Sequence, residues 1–219
     1  MKAVIFDFDG TLTKSNINLW KKIWKDLGYD VGPNSYYKQL LQEFLDGKRN
    51  LHDWCNLIAV AFQEKGLTKQ KLIDIIKDVV LLDGVKELIE YLYSKNIEIH
   101  IVSGNIDFVI NYVLGDSVKY ITQLNANEFV FDKDDKLAAI NSTSYDHEGK
   151  ALYIKELCKN KGFVPSDILF IGNSFNDEWA YTSGAKTLCV NPDRANSENP
   201  KIWNKVVYTD NLLTLKDEI

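Results

Sequence analysis

The chain begins with the stretch Val4-Ile5-Phe6-Asp7-Phe8-Asp9-Gly10-Thr11, a short apolar run that leads directly into two carboxylates. Such a run, ended by Asp and Gly, is typical of a buried strand, so we predict a strand from Lys2 to Phe6. Two acids at this spacing beyond a strand add little to a hydrophobic core. They can, however, hold a divalent metal ion and attack a phosphoryl group.

The composition is that of an ordinary globular protein. Of 219 residues, 45% are hydrophobic and 26% are charged, and the net charge is −5. Because the net charge is negative and Arg49 and Arg194 are the only arginines, we do not expect a basic surface for nucleic acid. No apolar run reaches membrane-spanning length, no signal peptide fits before the first strand, and the three cysteines lack metal or disulfide spacing. We therefore expect a cytoplasmic protein without a membrane or nucleic-acid partner.

The segment that follows the first strand has a helical pattern from about Ser15 to Asp78. Apolar residues recur at helical spacing in four stretches, and no strand pattern interrupts them. We therefore predict a helical cap domain over residues 15–81, inserted into a core domain that comprises residues 1–14 and 82–219.

The rest of the chain alternates helices with strands. Helices are predicted at Gly84–Lys95, Asp107–Leu114 and Lys150–Lys161 and after Phe175; strands at Ile97–Val102, Tyr120–Leu124, Ile168–Ile171, Thr187–Val190 and Val206–Tyr208; and a β-hairpin at Glu128–Ile140. This alternation predicts an α/β fold: a doubly wound, Rossmann-like parallel sheet with an inserted α-helical cap and a β-hairpin.

Polar and glycine residues follow several of the predicted strands. In a doubly wound sheet, ligands bind beyond the carboxyl ends of the strands, so residues that follow different strands can meet there. The residues at these positions are Asp7 and Asp9 after the first strand, Ser103, Gly104 and Asn105 after the second, Gly172, Asn173, Ser174 and Asp177 after Ile168–Ile171, and Lys150 at the start of the preceding helix.

The order and spacing of these segments resemble the haloacid dehalogenase superfamily of aspartate-dependent phosphohydrolases. The segment 7–11 resembles its first motif, Ser103 its second, Lys150 its third and the segment 172–177 its fourth. The resemblance covers nearly the whole chain and is strongest to the phosphoserine-phosphatase-like branch. It implies a magnesium-dependent phosphomonoester hydrolase that acts on a small phosphorylated metabolite.

The resemblance also implies a role for each motif residue. Asp7 would be the nucleophile that forms an aspartyl-phosphate, and Asp9 would be the general acid and base. Ser103, the amide of Gly104 and Lys150 would bind the phosphoryl oxygens, and Lys150 would offset the charge of the transition state. The Mg²⁺ site would comprise Asp7, Asp9, Asn173 and Asp177, with Asp177 either ordering the metal site or fixing Lys150.

The chain departs from the family pattern at the metal site and at the substrate site. Asn173 stands where the fourth motif usually has Asp, which predicts weaker metal binding with catalysis retained. An ungapped alignment puts Asn16 and Asn56 where phosphoserine phosphatases carry an acid and an arginine, so phosphoserine is disfavoured unless Arg49 replaces that arginine. The residues predicted to form the specificity surface are Asn16, Asn18, Trp20 and Asn56.

Other functions remain open at the level of sequence. A phosphotransferase or mutase of the same superfamily would use the same motifs, and a response-regulator-like phospho-acceptor module also combines Asp, a hydroxyl residue and Lys on a parallel sheet. Receiver modules lack the inserted helices, and the dehalogenase branch lacks the acid at Asp9. The sequence carries no signal of the oligomeric state.

Overall fold

A computed structural model describes residues 1–14, 18–193, 199 and 201–219. The elements follow the chain as strands β1 (Ala3–Phe6), β2 (Glu98–Ile106), β3 (Gln123–Phe131), β4 (Leu137–Asn141), β5 (Ile168–Gly172), β6 (Lys186–Val190) and β7 (Lys205–Val207), and helices α1 (Leu19–Asp26), α2 (Tyr36–Leu45), α3 (Leu51–Glu64), α4 (Lys69–Ile76), α5 (Val85–Ser94), α6 (Asp107–Leu114) and α7 (Glu148–Lys161).

The described strands form one sheet in the order β4-β3-β2-β1-β5-β6-β7. All neighbouring pairs are parallel except β3 and β4, which form an antiparallel hairpin. Strands β2–β4 follow one another on one side of β1, and strands β5–β7 follow on the other side, so β1 lies where the strand order reverses. This architecture confirms the predicted α/β fold with its parallel sheet and hairpin, and it puts the reversal point at the first motif.

Strand β1 is completely buried because helices cover both faces of a parallel sheet. Phe6 pairs with Ile101 on β2 and with Ile171 on β5, so Asp7 is the first residue beyond the sheet. The backbone N–H of Asp7 still donates to the carbonyl of Ile171 at 2.9 Å. That bond fixes the nucleophile candidate at the carboxyl edge between two neighbouring strands.

Helices α1–α4 occupy the chain between β1 and α5. Each begins with a polar residue whose side chain accepts a backbone N–H of the first turn, and these caps are Asn18, Ser35, Asn50 and Thr68. Their apolar faces meet the β3–β4 hairpin in one buried cluster. In this cluster Trp24 contacts Phe62, and the hairpin contributes Phe129. The described helices are all too short or too polar to span a lipid bilayer.

Two sequence predictions differ from the fold. The predicted strand Tyr120–Leu124 and the first strand of the predicted hairpin are one strand, β3, which pairs with β2 at one end and with β4 at the other. A 3-10 helix, Gly115–Tyr120, precedes it. The segment after Phe175 forms only a short 3-10 helix, Glu178–Ser183, instead of the predicted α-helix. The predicted edge strand is present as β7.

Candidate active site

Three residues that are distant in sequence meet beneath the carboxyl edge of the sheet. Lys150 Nζ donates to Asp7 Oδ1 at 3.0 Å and also to Asp177 Oδ1. The side chains of Lys150 and Asp177 are completely buried, and Asp7 is 3% exposed. A lysine without solvent contact requires partners of opposite charge, and these two carboxylates supply them.

The fold brings Asp177 to this lysine through a tight turn after β5. Asp177 Oδ2 accepts the backbone N–H groups of Asn173 at 2.9 Å and Ser174 at 3.0 Å. Gly172 permits the approach, because a Cβ there would lie 2.5 Å from Asp177 Cγ. Both carboxylate oxygens of Asp177 are thus engaged within the protein, which favours the predicted role of fixing Lys150 over that of a metal ligand.

Asp9 is held by a residue to which the sequence assigned no role. Asn105 Nδ2 donates to both carboxylate oxygens of Asp9, each at 2.8 Å. Asn105 lies in β2, where the pairing with β3 is irregular between Val102 and Ile106. The strand therefore continues past its predicted end and carries Ser103 and Asn105, both buried, into the site.

The carbonyl of Gly104 is fixed by two donors from different elements. Asn127 Nδ2 on β3 donates to it at 2.7 Å, and Trp20 Nε1 on α1 donates at 3.1 Å. A helix of the inserted segment is thereby tied to the strand end that carries Ser103. The same contact shows that Trp20, a predicted specificity residue, reaches the site.

The site holds its ionisable groups at unusual pKa values. Burial, together with the charge of Asp177, raises the pKa of Asp7 to about 7 in spite of Lys150. Burial and the neighbouring charge of Asp7 raise the pKa of Asp9 to about 7, although the hydrogen bond from Asn105 opposes the shift. Burial would lower the pKa of Lys150, but the carboxylates of Asp177 and Asp7 outweigh it and raise that pKa. A cation between the carboxylates would favour their ionised forms.

The oxygens at this edge suit a magnesium ion. Among the described residues, no three His, Cys, Asp or Glu side chains converge into a metal-binding set. Lys150 donates to Asp7 Oδ1, and among the described residues no hydrogen bond reaches Asp7 Oδ2. Asn173 Oδ1 accepts a hydrogen bond from Thr11 at 3.3 Å. Gly10, at φ +72°, lies so close that a Cβ there would collide with the Asn173 amide. One carboxylate with neutral oxygens and room for water is a donor set that Mg²⁺ accepts.

A cavity of about 680 Å³ lies above these groups, between the sheet edge and the inserted helices. Of the predicted specificity residues, Asn18 and Trp20 line it. Asn56 is absent from its described lining and lies on an exposed face of α3, so the structure does not bring Asn56 to the cavity. The neighbouring Trp54 lines the cavity, and a residue two positions further along a helix points to a different side. Asn16 lies outside the described residues.

The predicted motif residues divide into those that line the cavity and those that lie beneath it. Those in the lining are Asp7, Asp9, Ser103, Gly104 and Asn173, whereas Lys150 and Asp177 are buried below them. Arg49 does not reach the described lining and instead pairs with Glu43 at 2.6 Å on the inserted helices. The suggestion that Arg49 replaces the missing arginine is therefore not supported.

Asp146 is a further acid at the site that sequence reasoning missed. Its side chain lines the cavity beside Gly104, where a Cβ on Gly104 would collide with the Asp146 carboxylate. Asp146 Oδ1 accepts the backbone N–H of His147 at 2.9 Å and Asn176 Nδ2 at 3.2 Å. The sequence feature that could have indicated Asp146 is its position four residues before Lys150, on the loop that enters α7.

A family model described as "Hydrolase: haloacid dehalogenase-like hydrolase" matches residues 1–181. A curated phosphoserine phosphatase of Archaeoglobus fulgidus is 23% identical over 183 residues, which cover 80% of this chain and 48% of the relative. The chain thus spans about half the length of that curated relative.

Solved structures resemble the chain along its whole length. A phosphoserine phosphatase in the form of a phospho-aspartyl intermediate analogue has a TM-score of 0.74 at 20% identity, with 100% of this chain and 98% of that chain covered. A phosphoserine phosphohydrolase-like protein from Francisella tularensis has a TM-score of 0.63 at 22% identity, with both chains covered completely. At such identities the likeness establishes a common fold.

Proposed function

The chain belongs to the haloacid dehalogenase-like hydrolase family, and on that premise we propose that it hydrolyses a small phosphomonoester through an aspartyl-phosphate on Asp7. The observation that carries the proposal is the buried contact of Lys150 with both Asp7 and Asp177 at the carboxyl edge of the sheet. Such a fixed cation beside a carboxylate suits a reaction in which negative charge spreads over phosphoryl oxygens.

In the first step, an oxygen of Asp7 bonds to phosphorus while the bond from phosphorus to the ester oxygen breaks. Asp9 gives its proton to the leaving oxygen, which departs as a neutral alcohol. The hydrogen bonds from Asn105 orient the carboxyl group toward the leaving oxygen.

In the second step, Asp9 takes a proton from a water molecule whose oxygen bonds to phosphorus. The bond between phosphorus and Asp7 breaks, which releases inorganic phosphate and restores the carboxylate. Lys150, the Ser103 hydroxyl and the backbone N–H of Gly104 bind the non-bridging oxygens in both steps. Mg²⁺ held by Asp7, Asn173 and the main-chain carbonyl of Asp9 would offset the repulsion between carboxylate and phosphate.

The test is phosphate release from a generic aryl phosphate, with and without Mg²⁺. We expect turnover that depends on Mg²⁺ and is abolished by Asp7→Asn, since an amide is a poor nucleophile. The matched control is Asp78→Asn, which changes an exposed acid away from the cavity in the same way. Normal turnover by Asp7→Asn would remove the nucleophile from the proposal.

A further inference from the structure

Five aromatic side chains form a continuous row along the cavity above the proposed catalytic groups. The ring centroids are 5.0 Å apart for Trp20 and Trp54, 5.7 Å for Trp54 and Phe44, 5.7 Å for Phe44 and His147, and 5.4 Å for His147 and Phe175. All five line the same cavity, and we call them the aromatic arc. Three come from helices α1–α3 and two from loops of the sheet, so the arc bridges the inserted helices and the core.

The aromatic arc is attached to the strand end that carries Ser103 on the side of Trp20 and on the side of His147. Trp20 donates to the carbonyl of Gly104 at 3.1 Å. On the other side, Asp146, which directly precedes His147, packs against Gly104 so closely that a Cβ there would collide with its carboxylate. A phosphoryl group bound at Ser103 and Gly104 would therefore direct its ester substituent toward the rings.

The charges around the cavity disfavour a substrate carboxylate. Among the described lining residues, Lys14 is the sole lysine or arginine, and its ammonium lies 3.3 Å from Asp83 Oδ1. Besides Asp7 and Asp9, the lining carries the carboxylates of Asp146 and Asp193. Among the described lining residues, the carboxylates would repel an anionic leaving group, and no arginine offers it a bidentate partner.

The size of the cavity disfavours a small aliphatic alcohol. The cavity of about 680 Å³ adjoins a groove of about 510 Å³, and both are bounded by Phe44, His147 and Phe175. This space is in the range that encloses ligands of drug-like size. A compact alcohol would contact few of these rings, whereas a flat ring could contact several of them.

We propose that the aromatic arc binds the leaving group of a phosphomonoester whose alcohol carries a flat aromatic or heteroaromatic ring and no carboxylate. This inference rests on the proposed phosphatase function and defines its substrate class. Aromatic rings pack edge to face or with offset stacking, and within the arc Trp20 meets Trp54, and Phe44 meets His147, edge to face.

The kinetic test compares three alkyl phosphates that need the same protonated leaving oxygen: benzyl phosphate, glycerol 3-phosphate and choline phosphate. We expect kcat/KM for benzyl phosphate to exceed the other two by about tenfold, the effect of one to two favourable ring contacts. Phe44→Leu and Phe175→Leu should each lower the ratio of benzyl to glycerol esters about three- to tenfold, mainly through KM. The control is Tyr112→Leu, which removes an exposed aromatic side chain outside the described lining and should leave that ratio unchanged.

Calorimetric binding to the Asp7→Asn protein separates the inference from the proposed function. Benzyl phosphate should bind more tightly than glycerol 3-phosphate, and the additional Phe175→Leu change should weaken its binding. This result supports the binding role of the aromatic arc even if no ester is hydrolysed. Hydrolysis without preference for the benzyl ester, or with preference for choline phosphate, overturns the proposed substrate class, while the phosphatase proposal stands. Equal binding of the benzyl and glycerol esters also overturns it. Absence of phosphate release from all esters and from acetyl phosphate refutes the proposed function alone.

Discussion

Asp177→Asn removes one of the two carboxylates that face the buried ammonium of Lys150. The substituted amide has nearly the same shape, and its remaining oxygen can still accept the backbone N–H groups of Asn173 and Ser174. The change therefore isolates the ion pair with Lys150, in which both side chains are completely buried. It also places an N–H donor next to the ammonium group, which has no acceptor for it.

The expected loss of stability follows from this burial. Removal of one partner from a buried ion pair costs about 3–5 kcal/mol, because the other charge is left without compensation. Asp7 still lies 3.0 Å from Lys150 Nζ, so we expect the lower end of this range, about 3 kcal/mol. With a urea dependence of about 2–3 kcal/mol per molar, the unfolding midpoint should fall by about 1–1.5 M.

The assay is urea unfolding followed by tryptophan fluorescence, without Mg²⁺. The matched control is Asp46→Asn, which breaks the exposed pair with Lys48 and should not shift the midpoint measurably. If Asp177→Asn lowers the midpoint no more than Asp46→Asn does, the buried network beneath the site does not exist as described.

Three further substitutions test other parts of the site. Asn173→Asp should lower the Mg²⁺ concentration for half-maximal phosphate release about tenfold, because it restores a negative charge; an unchanged or higher requirement in a Mg²⁺ titration would count against this. Asn105→Ala should reduce kcat/KM about tenfold or more for alkyl phosphates, and much less for p-nitrophenyl phosphate, whose leaving group needs no proton from Asp9; equal losses would contradict the positioning of Asp9 by Asn105. Gly172→Ala should destabilise the protein by about 1–3 kcal/mol in urea unfolding, because the new Cβ meets Asp177; an unaltered midpoint would show that the turn relaxes.

The sequence predicted the parts of the site that follow from strand ends. Asp7, Ser103 and Asn173 lie at the carboxyl edge because parallel neighbours end together, and this follows from the alternation of strands and helices alone. The prediction that Lys150 lies at the site rested on its order among the motifs. The structure buries Lys150 between Asp7 and Asp177 and so brings these distant segments together.

The sequence could not predict the parts that depend on packing between separate elements. Asn105 reaches Asp9 because β2 continues through an irregular stretch, which no periodic pattern reports. Asp146 approaches Gly104 through the loop into α7, and the aromatic arc exists only once the inserted helices meet the core. An ungapped alignment does not fix which side of a helix a residue faces, so it could not report that Asn56 lies on an exposed face of α3.

The central claim is that Asp7 accepts the phosphoryl group, and chemical trapping tests it most directly. The protein is mixed with an aryl phosphate and Mg²⁺ and quenched with borohydride, which reduces an acyl phosphate on aspartate to homoserine, and its peptides are then examined by mass spectrometry. We predict homoserine at position 7 and its absence when the ester is omitted. Phosphate release with reduction at a different carboxylate, or with an unmodified position 7, would contradict the account.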